Sequence, residues 1–259
     1  MKSIMVAGTS SSCGKSFVTT ALIRYFRSNG YTVAPFKAQN ISSNSVMIKD
    51  GKEIACSTYI QAYAAQVEPE VIMNPVLIKP KRERTQFYIN GELHYEGPYQ
   101  NYRGFIPEIK DCVSQAYFRL IKKHDIVVIE GAGSVAEINN KGEDIANEYI
   151  AQMAKPAITL VGDIHLGGVF ASLHGTLDLM PPSLKEHTKT FVINKYGGDE
   201  ERLRIGIEFI EKYHHVNCAG IIPYIEDDFL AGPRNDMDDV FSKIDYVVAK
   251  HCDFSSILY

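Results

Sequence analysis

Short runs of consecutive apolar residues alternate along this chain with longer stretches in which apolar positions recur every three or four residues. The runs at 3–7, 32–36, 125–130, 157–162, 190–194 and 218–222 are apolar at nearly every position, the pattern of strands covered on both faces. Between them, 15–28, 53–67, 106–123, 143–153, 170–179, 200–213 and 237–251 read as helices. Strand–helix alternation of this kind predicts an α/β fold with a doubly wound, mostly parallel sheet. The stretch 73–103 breaks the rhythm: it is rich in Pro, Lys, Arg and Tyr, and "TQFYINGELHY" carries an Asn-Gly hairpin signal. It is expected to be an insertion near the strand ends, where such folds bind ligands. No repeat, low-complexity tract or linker interrupts 1–259, so one domain is expected.

Composition narrows the function classes. A net charge of −4 gives no electrostatic reason to expect nucleic acid or an anionic membrane as partner. The five cysteines, Cys13, Cys56, Cys112, Cys218 and Cys252, are odd in number, scattered and without a CxxC pair. Neither a disulfide framework nor a zinc site is suggested, and a reduced, cytoplasmic setting is expected. The N-terminus does not read as a signal peptide, and the longest apolar stretch, "PAITLVG", is far short of a membrane span.

The chemistry begins with "GTSSSCGKS" at 8–16. Two glycines bracket a loop that follows a strand and opens a helix, so backbone N–H groups and the helix N-terminus can converge on phosphate oxygens. Lys15 can neutralise the β- and γ-phosphates, and the Ser16 hydroxyl can bind Mg²⁺. Five residues separate the glycines where the common pattern has four. Gly8, Thr9, Ser10, Ser12, Cys13, Gly14, Lys15, Ser16 and Phe17 are the candidate nucleotide contacts. In "VVIEGAGS", Glu130 ends a strand beside the loop, where a carboxylate can hold Mg²⁺ or simply face solvent. In "VAPFKAQN", Lys37 emerges at a strand end, as a second cation for phosphoryl transfer or as a snorkelling lysine. Asn194 in "FVINKYGGD" suits the edge of an adenine and is equally a common turn residue. Pro223 in "GIIPY" stands where backbone contacts to the same base are expected.

These segments resemble the dethiobiotin synthetase-like branch of P-loop proteins. Within that branch, "PFKAQNISSNS", "MNPVLIKP", "EGAGSVAEIN", "DIAN", "GGVFASLHGT", "FVINKYGGD" and "GIIPY" resemble the synthetase half of the cobyric acid synthase family, in the family's order from about residue 4 to residue 225. The resemblance implies ATP and Mg²⁺ as cofactors and amidation of peripheral carboxylates on a corrinoid, by way of an acyl phosphate that ammonia displaces. It assigns Lys15 and Lys37 to phosphate charge, Ser16 and Glu130 to Mg²⁺ and Asn194 to adenine. Asp50 in "KDGKEI" becomes a further metal candidate, or an Asp-Gly turn. Asn40, Lys79, Ser134 and Asp144 become substrate candidates. Lys79 belongs to a basic cluster with Lys81, Arg82 and Arg84, able to pair with several carboxylates or only with water. Asp144 and Asn147 sit at a helix start, where capping is the competing account.

The chain departs from the family in three places. The family usually reads Asp-Ile-Asp-Arg-Gly-Gly where this chain has "DIHLGG", so His165 and Leu166 replace an acid and a base. Ala55-Cys56-Ser57-Thr58 stands in place of Gly-Arg-Ala-Gln. Family members usually continue into a glutaminase half, and nothing after "GIIPY" reads as one. A truncated chain, a separate glutaminase subunit or free ammonia would each account for that, and a homodimer is also compatible. Two other readings compete. A dethiobiotin synthetase would share the loop, the second lysine and "EGAG", but the 73–103 insertion argues against it. A nucleotide-switch ATPase of the partitioning type carries an extra lysine five residues before the loop lysine, and here that position is Ser10.

Overall fold

The computed structural model describes residues 2–82, 84–140, 142–225 and 232–258. In chain order, β1 (Lys2–Gly8) leads through the glycine loop into α1 (Lys15–Ser28), and β2 (Val33–Phe36) follows. Three short strands, β3 (Gln39–Ile41), β4 (Ser45–Met47) and β5 (Glu53–Ala55), precede α2 (Cys56–Ala64). The insertion contributes β6 (Val76–Pro80), β7 (Thr85–Ile89) and β8 (Glu92–Gly97), and a short 3-10 turn, Tyr99–Asn101, leads into α3 (Tyr102–Ile121). Then come β9 (Ile126–Glu130), α4 (Ile150–Ala154), β10 (Ala157–Asp163), α5 (Val169–Leu179) and α6 (Pro182–Lys185). β11 (Thr188–Tyr196), α7 (Arg204–His214), β12 (Asn217–Pro223) and α8 (Met237–His251) complete the order.

Six strands form one sheet in the order β12-β11-β10-β1-β9-β2, and every pairing in it is parallel. Alternate residues of each strand feed two separate cores. Met5, Ala7, Val127, Ile129, Leu160 and Phe191 pack on one side with α3 and α5, while Ile4, Val6, Val128, Val161 and Val192 pack on the other with α1, α2 and α8. Burial on both faces is why these strands lack polar alternation. The three insertion strands join β3 in a second, four-stranded sheet in the order β3-β6-β7-β8. Its β7–β8 hairpin turns at Asn90-Gly91, both at positive φ (51° and 78°), as the Asn-Gly signal requires.

Three predicted helices change. Residues 53–55 are a strand, because they pair antiparallel with β4 and the Ala55 N–H donates to the buried Asn74 Oδ1 (2.8 Å); the helix starts only at Cys56. The stretch 143–153 opens as one wide turn, Ile145–Tyr149, closed by Tyr149 N–H to the Asp144 carbonyl (2.9 Å), before α4. The stretch 200–213 begins as a 3-10 turn capped by Asp199 before α7.

Candidate functional site

A parallel sheet brings the carboxyl ends of all its strands to one edge, and the chemistry collects there. The loop after β1 is flanked by β9 and β10, so Glu130 at the end of β9 and Asp163 at the end of β10 stand on its two sides. Lys37 leaves β2 next to β9, and Asn194 lies near the end of β11. A cavity of about 1120 Å³ opens over this edge.

The loop is shaped by contacts that only small residues permit. Gly14 has φ +101°, and a Cβ there would sit 1.8 Å from the Asn194 amide nitrogen. A Cβ on Gly8 would meet the Lys15 side chain at 2.9 Å, because that lysine folds back over the loop. Lys15 Nζ donates to the carbonyls of Ser10 and Gly133, each at 2.8 Å. Burial lowers its affinity for the proton below that of an ordinary lysine. Asn194 Nδ2 donates to the Cys13 carbonyl (2.9 Å), and Lys195 Nζ bridges the Ser12 carbonyl (2.8 Å) and Asp163 (2.6 Å).

Glu130 is the hub. It is 1% exposed, and its Oε1 accepts from Lys37 Nζ (2.6 Å) and Ser16 Oγ (2.9 Å) while Oε2 accepts from Gln61 Nε2 (2.5 Å). Burial alone would push its carboxyl upward; the Lys37 ammonium and the three hydrogen bonds more than offset that and hold it below the usual carboxylate range. Beside it, the Gly-Ala-Gly turn is braced by Asn147, whose amide donates to the Ala132 carbonyl (2.8 Å) and accepts from the Ala132 N–H (3.1 Å). Asp144 caps the wide turn by accepting from the Asn147 N–H (2.9 Å), and burial pushes its carboxyl upward.

Of the sequence-predicted residues, Ser12, Gly14, Lys15, Ser16, Phe17 and Lys37 line the cavity, and so do Asn40, Glu130, Ser134, Asp144, Asn194 and Pro223. Gly8, Thr9, Ser10 and Cys13 shape the loop from beneath without lining it; the Thr9 N–H donates to the Val161 carbonyl (3.0 Å). Asp50 is not brought to the site. It is exposed in a turn, accepting from the Lys52 N–H (3.1 Å), which is the turn reading of that residue. Lys79 also stands outside, paired with both oxygens of Glu53 (2.7 Å each), and none of Lys81, Arg82 or Arg84 lines the cavity. The Ala55–Thr58 departure falls away from the cavity, with Ala55, Cys56 and Thr58 buried. His165 does line it, stacked on Tyr224 (centroids 4.9 Å apart), while Leu166 is exposed.

Sequence reasoning missed Gln61, Tyr99, Tyr102 and Tyr224. Gln61 had one signal, a lone amide among the apolar residues of α2; Tyr99, Tyr102 and Phe105 had another, aromatic residues at every third position. Among the described residues no cluster of three or more His, Cys, Asp or Glu side chains forms a ready metal cage, and no helix is long and apolar enough to cross a membrane.

A family model described as the CobQ/CobB/MinD/ParA nucleotide binding domain matches residues 4–236. Similar curated proteins include a cobyric acid synthase of Clostridium botulinum (strain Loch Maree / Type A3), 44% identical over 86% of this chain and 46% of that protein. A cobyric acid synthase of Clostridium acetobutylicum is 42% identical over 96% of this chain and 52% of its own length, and a probable cobyric acid synthase of Archaeoglobus fulgidus is 46% identical over 88% and 50%. The chain thus spans about half the length of the curated relatives it matches. Among solved structures, the signal recognition particle receptor FtsY from Elizabethkingia anophelis, in complex with GDP, superposes with a TM-score of 0.52 at 15% identity, over 94% of this chain and 63% of that one. That likeness concerns the fold alone.

Proposed function

The chain belongs to the CobQ/CobB/MinD/ParA family of nucleotide-binding domains, and on that footing we propose that it uses ATP to amidate peripheral carboxylates of a corrinoid, taking adenosylcobyrinic acid a,c-diamide to cobyric acid. In this reading a substrate carboxylate oxygen attacks the γ-phosphorus and ADP leaves. Ammonia then attacks the acyl carbon, the C–O bond to phosphate breaks, and the nitrogen sheds a proton to give the amide. The observation that carries the reading is the convergence of Lys15, Ser16, Lys37 and Glu130 on one cavity, with the last three joined through a single carboxylate oxygen.

Each residue has a definite task. Lys15 neutralises charge on the β- and γ-phosphates, and the loop N–H groups cradle them. Lys37 draws the incoming carboxylate and the transferring phosphoryl group together, since this chemistry depends on positioning and charge stabilisation. Ser16 Oγ and Glu130 Oε1 are two hard oxygen donors 2.9 Å apart at the cavity wall, a set that suits Mg²⁺ with nucleotide phosphates and water as its other ligands. Ser16 and Glu130 would hold the ion directly or through water, and it would supply neutralisation of phosphate charge. Asn194 and Pro223 flank the base, at the neighbouring ends of β11 and β12.

Ammonia comes from glutamine hydrolysed elsewhere by a glutaminase, or free from solution. All five cysteines are poor candidates for a glutaminase nucleophile: Cys13, Cys56 and Cys112 are buried, while burial pushes the Cys218 thiol up to about 11 and Cys252 up to about 12. The test is ADP release and mass-spectrometric detection of amide product from cobyrinic acid a,c-diamide with Mg-ATP and ammonium. Lys15→Ala and Lys37→Ala are expected to abolish both signals. Wild-type protein that binds ATP yet leaves every corrinoid carboxylate unchanged overturns the reading.

A further inference from the structure

The cavity, about 1120 Å³, is at the upper limit of the roughly 300–1,000 Å³ of typical small-molecule sites, and its lining is both polar and apolar. Beside the polar residues of the phosphate site, the lining includes Tyr99, Tyr102 and Ile41, groups for which phosphoryl transfer has no use.

That wall is built, not incidental. The Tyr99 and Tyr102 rings lie parallel within 2°, with centroids 5.7 Å apart. Phe87 stacks against both, at 6.2 and 5.7 Å, and is itself buried beneath Tyr95 and Phe105. Tyr99 remains 48% exposed and Ile41 50% exposed, so a flat apolar surface faces the cavity. The wall is also tied to the chemistry. Tyr102 Oη donates to Gln39 Oε1 (2.5 Å), and Gln39 stands two residues beyond Lys37. Of the carboxylates that line the cavity, Glu130, Glu137, Glu143 and Asp144, Glu130 is paired with Lys37 and Glu143 is held by Arg103 (2.9 Å), which offsets part of the negative charge an anionic substrate meets.

We propose that Tyr99, seated on Tyr102 and Phe87, is the stacking surface for the corrinoid macrocycle and thereby a specificity residue of the amidation site. A macrocycle with carboxylates on its rim can lay its apolar face on this wall and direct one rim carboxylate toward Lys37. The proposal rests on the corrinoid reading above and names the subsite that reading requires.

The test is equilibrium dialysis of the full chain with cobyrinic acid a,c-diamide, read by the corrinoid's visible absorbance, alongside ATP binding by calorimetry. Tyr99→Ala is expected to weaken corrinoid binding at least about five-fold, the lower end of what loss of an aromatic stacking partner costs. ATP affinity stays the same, and Tyr99→Phe, which keeps the ring, binds the corrinoid within about two-fold of wild type. During turnover the same change raises KM for the corrinoid and leaves KM for ATP alone. Equal corrinoid affinity of Tyr99→Ala and wild type, or an equal loss of ATP affinity, overturns the stacking proposal while the amidation reading stands. Wild-type protein that binds ATP and no corrinoid overturns both.

Discussion

Replacing Lys37 with methionine leaves the Glu130 carboxylate buried, 1% exposed, without its 2.6 Å counter-ion. Removing one partner of a buried pair costs about 3–5 kcal/mol, because the remaining charge is neither solvated nor neutralised. At about 2–4 °C per kcal/mol for a chain of this size, Lys37→Met should lower Tm by about 6–20 °C. The second arm is Lys37→Met combined with Glu130→Gln, which removes both charges. The introduced amide keeps an oxygen for Ser16 and can donate to Gln61 Oε1, a buried atom with no hydrogen-bond partner among the described residues, once the Gln61 amide turns over. The double variant should therefore regain at least about 2 kcal/mol over Lys37→Met, a non-additivity typical of a directly coupled pair. The third arm is pH. In the wild type Glu130 titrates below its ordinary value of 4.5, so its stabilisation is present above that value and lost as pH falls through the lower, folded one. In Lys37→Met burial dominates and the folded carboxyl titrates above 4.5; the deficit is full at pH 8 and shrinks as pH falls toward 5, when the carboxyl takes up a proton. Thermal and urea melts at pH 8, 6.5 and 5 read all three arms. A double variant no more stable than Lys37→Met, or a deficit that grows on acidification, refutes the argument that an orphaned carboxylate sets the cost.

Three other outcomes follow from the same geometry. Gly14→Ala places a Cβ at φ +101° and 1.8 Å from the Asn194 amide, so ATP affinity should fall at least about five-fold by calorimetry, and unchanged affinity would refute the reading of this loop. Asn147→Leu strips both half-buried Ala132 backbone groups of their partner and should cost about 0.5–1.5 kcal/mol for each lost hydrogen bond, read as a lower urea midpoint together with weaker Mg-ATP binding. Cys218, with its thiol raised from 9.0 to about 11, should react with iodoacetamide about a hundred-fold more slowly at pH 8 in the native protein than in urea, as peptide mass spectrometry can follow.

How much of this was legible in the sequence varies with how local the determining contact is. α8 was read with both of its ends, and the Asn90-Gly91 hairpin with its turn, because a helical stripe and a positive-φ dipeptide are written in adjacent residues. Lys37 and Glu130 were placed at strand ends because an apolar run that stops at a charge is equally local. The misread segments depend on distant partners. Residues 53–55 continue a helical pattern in sequence, and what makes them a strand is pairing with β4 together with Asn74, nineteen positions away, accepting from the Ala55 N–H. The wide turn 145–149 accompanies the commitment of the Asn147 side chain to Ala132 across the site, which no spacing rule reveals. Lys79 looked available as a cation, and its partner Glu53 lies twenty-six positions upstream.

The same distinction bears on how the site is assembled. The contacts that gather it span large separations: Lys37 to Glu130 is 93 positions, Ser16 to Glu130 is 114, and Asn194 to the Cys13 carbonyl is 181. None of these side chains is brought in by its neighbours in sequence. Lys37, Glu130 and Asn194 stand at or near the carboxyl ends of their strands and Ser16 opens the helix that follows β1, and parallel pairing in the order β11-β10-β1-β9-β2 puts those ends on one edge. The register then does the fine placement: Val6 pairs with Glu130, so the carboxylate lies level with the start of the glycine loop, and Phe36 pairs with Ile129, so Lys37 follows at the same height. A slip of one residue in either pairing would turn the following side chain to the opposite face of the sheet. The long apolar runs that specify this register are therefore as much a part of the phosphate site as the lysines, although they touch nothing in the cavity.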